Sequence, residues 1–181
     1  MQPTATERLI VEMLCEIYKK LEITDSYDPD IIARAMGSQD YWVLNWKYDI
    51  RDGEGENPPH VKLVLDALDM YQFLQDAYDQ FDAEQREVVA AVGIGGTLEF
   101  PGFDGNNETD YSRAARYLVN DLDRFARLRG SVDTNSMGPS VPMYARMLEV
   151  FLPIRVNVLG RRMTVGEVIE VLQAAIHPDN R

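Results

Sequence analysis

The stretch from Pro58 to about Phe81 constrains the fold more than any other part of the chain. At about 100° per residue, Val61, Val64, Leu65, Leu68 and Tyr71 fall on one side of a helix, and Leu63, Ala67, Met70, Leu74, Ala77, Tyr78 and Phe81 fall nearly opposite. Only a narrow strip holding Lys62, Asp66, Asp69 and Asp76 stays polar. A helix that is apolar on two sides has to be a central element with other helices packed around it. Apart from a short extended piece at 98–103, no segment alternates with a two-residue period, so a sheet-based fold is disfavoured. With 181 residues the chain can bury a core without disulfides or metal. The expectation is an all-α fold, a single compact multi-helix domain over 1–181 with about seven or eight helices around that long one.

The remaining helices are read from their apolar spacing and caps. Residues 7–22 predict an amphipathic helix capped by Thr6, with Leu9, Ile10, Met13, Leu14, Ile17, Tyr18 and Leu21 recurring at helical spacing. Arg8, Glu12, Glu16 and Lys19 lie opposite, and Cys15 falls near that polar side as a partly exposed thiol with no role. Asp28-Pro29 opens a short helix that stops at Gly37, and an aromatic-rich helix covers 40–48. RDGEGENPPH at 51–60 reads as a loop. Asp82 and Gln85 form a capping box before a helix that ends in GIGG, a glycine cluster with neither the lysine nor the strand of a phosphate loop. A long helix is expected from Glu108 to Arg129 with Asn107 as its N-cap, then one stopped by Pro153, then a closing helix opened by the Thr164/Glu167 capping box and ended by Pro178.

Charge excludes some functions and suggests others. The net charge is −12, with 8 basic and 23 acidic side chains in residues 1–110 against 10 basic and 7 acidic in 111–181. The chain as a whole repels nucleic acid and anionic membranes. The acidic part and the mildly basic part are expected to pack together or to face one another across a dimer. No run approaches the roughly 18 apolar residues of a spanning helix and no secretory leader is evident, so the expected location is cytoplasmic. One cysteine fits a reducing compartment.

The candidate site combines the loop Gly102–Glu108, GFDGNNE, with the helix that follows. Asp104, Asn106 and Glu108 imitate the start of a calcium loop, but Thr109 stands at its sixth position and Ala115 at its twelfth, where glycine and glutamate are required. Along the helix Arg113, Arg116, Asn120, Arg124 and Arg127 line up on one side. Such arginines hold anions by bidentate bonds or pair with the acidic strip of the first half. The candidate ligand-binding set is Asp104, Asn106, Asn107, Glu108, Tyr111, Arg113, Arg116, Tyr117 and Arg124. Neither His60 nor His177 falls in a triad or zinc spacing, so no catalytic residue, metal or cofactor is assigned.

The order of several motifs resembles the YfbU-like family of bacterial helical proteins. These are RLI at Arg8, VLDALDMY at 64–71, GFDGNNE with Tyr111, ARYLV at 115–119 with Arg124 and Phe125, NS-x-GP from Asn135, Tyr144 with RML at 146–148, and the closing helix headed by Thr164. The resemblance spans nearly the whole chain. It implies a cytoplasmic helical fold and supplies no substrate. The functional expectation is a non-enzymatic interaction module or regulatory homo-oligomer, whose partner is a second copy or another protein. The alternative is binding or hydrolysis of an anionic small molecule at the GFDGNNE loop, with Asp104 or Glu108 as base.

Overall fold

The computed structural model describes residues 3–50, 57–92, 98–158 and 160–177. It contains eight α-helices, and no strand occurs among the described residues. Contacts divide the chain into two compact units, 1–58 and 59–181. The GIGG cluster, most of the 51–60 loop and Pro178 lie outside the described residues.

The first unit holds α1 (Ala5–Lys20), α2 (Pro29–Ser38) and α3 (Tyr41–Tyr48). Helix α1 begins two residues earlier than its sequence suggests, because Thr4 rather than Thr6 supplies the cap: its hydroxyl accepts from the Glu7 amide, and the Glu7 carboxylate accepts from the Thr4 amide. Asp28 caps α2 by accepting from the amides of Asp30 and Ile31. The left-handed residue that ends α2 is Gln39 rather than Gly37. Helix α3 ties back to α2 through Tyr48, whose hydroxyl accepts from the Asp28 amide at 2.8 Å.

The second unit is organised on α4 (Pro59–Tyr78), which buries Val61, Val64, Leu68 and Tyr71 on one side and Ala67, Met70, Leu74 and Ala77 on the other, as its two-sided pattern requires. Around it run α5 (Ala83–Ala90), α6 (Thr109–Arg116), α7 (Val141–Asn157) and α8 (Val165–Ala175). Asp66 and Asp69 do not form a freely solvated strip. Both accept from Arg155 Nη1 on α7 at 3.0 Å and are part-buried. Losing the guanidinium leaves two carboxylates of like charge close together and partly desolvated. Arg155→Ala is therefore expected to lower stability by about 1–2 kcal/mol in urea unfolding, above the usual worth of an exposed pair.

Further helix limits in the second unit differ from expectation. The predicted helix 108–129 ends early: α6 passes into one π-helical turn at Tyr117–Asp121, and Asp123 and Phe125 take left-handed φ of 53° and 51° before a short 3-10 turn at Ala126–Leu128. Its N-cap position is Glu108, not Asn107. Pro153 does not stop α7, which continues to Asn157. The ring removes one backbone donor, so the Glu149 carbonyl loses its bond from four residues on while the helix continues, and Asn157 Nδ2 donates to the Pro153 carbonyl at 3.1 Å near its end.

Candidate functional site

The GFDGNNE loop is braided to the segment 134–141. Gly102 has φ of +80°, and a Cβ there would sit 1.8 Å from the Thr134 carbonyl oxygen, so only glycine lets the two backbones approach. The Gly102 carbonyl accepts from the Tyr144 hydroxyl at 2.6 Å. Phe103 bridges to Asn135, whose Oδ1 accepts from the amides of Gly105 and Met137. Phe100, Phe103, Tyr71 and Tyr144 pack beneath as an aromatic cluster, with Phe100 stacked on Tyr144 at 5.6 Å.

Both candidate bases are engaged inside this braid. Asp104 is buried and accepts from the amides of Asn106 and Asn107 and from the Asn107 side-chain amide at 2.6 Å. These bonds, the Asn107 side chain first, hold its carboxyl below its ordinary pKa. Glu108 is buried as well and receives four donors. Its Oε2 accepts from the Asp104 amide at 3.0 Å and the Ser140 hydroxyl at 2.6 Å, and its Oε1 accepts from the amides of Ser140 and Val141 at 2.9 and 2.8 Å. Burial alone would raise the Glu108 pKa, but the bonds from Ser140, Val141 and Asp104 outweigh it and the net shift is downward. Ser140 and Val141 begin α7, so Glu108 caps that helix from 32 residues away.

The remaining predicted residues are distributed. Asn106 is exposed. Tyr111 packs on Phe103 at 5.7 Å and on His60 at 5.9 Å. Tyr117 is buried. Arg113 pairs with Asp110 at 2.7 Å and Arg116 with Asp133 at 2.8 Å. Because the helix ends before residue 122, Arg124 does not continue the face of Arg113 and Arg116. Arg127 leaves it too and pairs with Asp76 and Asp79 at 2.8 and 2.6 Å, the pairing of the basic part with the acidic strip that charge distribution allows. Sequence reading missed Asn135, Ser140 and Tyr144 as partners of the loop. The order NS-x-GP then a helix was their only signal, and it reads as a linker.

Two other features stand out. In the first unit, α1 packs through Val11, Cys15 and Tyr18, while Leu9, Ile10, Met13, Leu14, Ile17 and Leu21 are between 48% and 66% exposed. Cys15 is thus buried rather than partly exposed, and burial pushes its thiol pKa up, away from reactivity. In the second unit a cavity of about 640 Å³ lies between α4, residues 98–101, the 127–134 turns, α7 and α8. None of the nine predicted residues lines it. Among the described residues no group of three or more His, Cys, Asp and Glu is placed to hold a metal, and no helix is long and apolar enough to cross a membrane.

Comparison with known proteins agrees with the motif order. The YfbU domain pattern matches residues 1–174. The UPF0304 protein MJECS11 of Methanocaldococcus jannaschii is 30% identical over 152 residues, which cover 80% of this chain and 84% of that protein. No solved structure matches this chain.

Proposed function

The chain belongs to the YfbU domain family, and on that footing we propose that it is a non-enzymatic interaction module that pairs with a second copy of itself through α1. One observation carries this reading: α1 packs on its minor face and leaves its broad apolar face, Leu9 to Leu21, half exposed. Six large apolar side chains on adjacent turns form a patch of the kind that marks an association surface.

A second copy is favoured because α1 is self-complementary in an antiparallel pairing. Centred on Met13 and Leu14, the pairing sets Ile10 against the partner's Ile17 along the middle of the stripe. Covering a half-exposed Leu, Ile or Met contributes about 1 kcal/mol, so twelve of them give on the order of 10 kcal/mol. That is comparable with the cost of association, roughly 4–15 kcal/mol, so the pairing depends on the whole face. A pocket for an anion over the GFDGNNE loop has less support, since the oxygens of Asp104 and Glu108 are already bonded and Arg113 and Arg116 are paired. The cytoplasm is the compartment this reading takes, in keeping with a single buried thiol.

Sedimentation analysis of the intact chain tests the proposal. The wild type is expected to be a dimer at micromolar concentration. Met13→Glu and Ile17→Glu, each placing a charge at the centre of the face, are expected to weaken it at least about 100-fold with an unchanged circular dichroism spectrum. A wild type that stays monomeric at high concentration, or variants that remain dimeric, would overturn it.

A further inference from the structure

The cavity of the second unit is independent of α1, and its chemistry is specific. Its inner wall includes Tyr71, which is 6% exposed and whose hydroxyl has no hydrogen-bond partner among the described residues. The Tyr71 side chain lines this open volume, so its hydroxyl is available to bond a ligand there. Phe100, Met143 and Leu172 provide apolar wall. At the rim stands Glu99, an exposed carboxylate with no ion pair among the described residues.

The charge around this volume decides what it accepts. Arg127 also borders the cavity, but its two terminal nitrogens are held by Asp76 and Asp79, so that trio is itself net negative. Glu99 is the carboxylate among the lining residues, and the lining cation, Arg127, is already doubly paired. The other polar groups are acceptors with lone pairs to offer: Ser131 Oγ donates to the Leu128 carbonyl, and the Gln75 amide nitrogen donates to the Leu98 carbonyl, which leaves the oxygens of both side chains able to accept. An anion entering here meets Glu99 and a guanidinium already engaged by two carboxylates, whereas an ammonium group meets a carboxylate and acceptors, and its apolar body meets rings and aliphatic walls.

We propose that this cavity is a binding site for a small organic amine, a cation on an apolar body, with Glu99 receiving the ammonium group and the Tyr71 hydroxyl bonding a polar group at the buried end. Tyramine carries both features, and 3-(4-hydroxyphenyl)propionate has the same body with a carboxylate in place of the amine. Calorimetric titration of the intact chain is expected to show saturable tyramine binding and at least about tenfold weaker binding of the carboxylate. Glu99→Gln should weaken tyramine roughly tenfold, and Tyr71→Phe roughly fivefold, while phenethylamine, which lacks the phenol, is unaffected by Tyr71→Phe.

A blocking variant separates loss of the site from loss of the fold. A Cβ at Gly130 meets no heavy atom within 4 Å, so Gly130→Phe can send its ring into the cavity without moving the backbone. It is expected to abolish tyramine binding with an unchanged melting temperature. The proposal is overturned if tyramine fails to saturate at millimolar concentration, if the carboxylate binds as tightly, or if Gly130→Phe leaves binding intact. Since these are readings of the second unit, α1 variants should not change them, and failure here leaves the dimer reading standing.

Discussion

Replacing Glu108 with alanine is expected to destabilise the fold by about 4 kcal/mol, and with glutamine by about 2–3 kcal/mol. The reason is the number of donors that converge on one carboxylate. Two backbone amides from α7, the Asp104 amide and the Ser140 hydroxyl all end on it. Alanine leaves buried donors unpaired, each costing about 1–3 kcal/mol. Glutamine keeps one oxygen, but its amide nitrogen then faces amide donors whichever way it is turned. Urea unfolding reads the loss, and a cost below about 1 kcal/mol for Glu108→Ala would contradict the capping role.

The same carboxylate makes the fold acid-sensitive. A carboxyl whose pKa is lower folded than unfolded contributes stability above its unfolded pKa and loses that contribution as pH falls through the folded value. Glu108 lies below its ordinary 4.5, Asp104 below its ordinary 3.8, and Glu167, bonded by Arg161 and by its capping-box partner Thr164, is held at about 2. Stability should therefore decline from about pH 4.5 down to about pH 2. In Glu108→Gln the decline is shallower, because one of the contributing groups no longer titrates.

Gly102→Ala is expected to be comparably damaging, at about 3–5 kcal/mol. A Cβ at this position lies 1.8 Å from the Thr134 carbonyl oxygen and 2.7 Å from its carbon, contacts with backbone that no rotamer change relieves. The φ of +80° adds the usual penalty for a side chain in the left-handed region. Gly166 in α8 is the control: nothing lies within 4 Å of its built Cβ, so Gly166→Ala is expected to be neutral or to stabilise by up to about 1 kcal/mol. A Gly102→Ala variant as stable as the wild type would mean that the braid between 100–108 and 134–141 is not formed.

These two residues explain why the loop reads as a site in the sequence. Acidic and amide side chains near a run of arginines have the composition of a ligand cradle, and the same composition serves to fasten a loop to a distant helix start. Sequence spacing cannot separate the two, because the partners, Thr134, Asn135 and Ser140, lie about thirty residues away in a stretch with no periodicity. The arginine face failed for a related reason. A wheel assumes an unbroken helix, and the left-handed residues Asp123 and Phe125 are ordinary residue types with no marker in the sequence.

What the sequence determined by itself is the local order of the molecule. The two-sided pattern of α4 made it central, and the caps at Asp28, Asp82 and Thr164 were legible because a cap is a bond between residues two or three positions apart. What only the tertiary structure decided is how faces and charges are matched. The periodicity of α1 shows that it has an apolar face but not which side packs, and the fold buries Cys15 and exposes Leu9 to Leu21. Likewise the long-range bonds of Glu108 and the pairing of Arg127 and Arg155 with α4 and its C-terminal turn depend on elements brought together from far apart in the chain. Bonds within a helical turn are set by covalent spacing, whereas contacts between helices are set by the competition of all faces for burial, which no single segment contains.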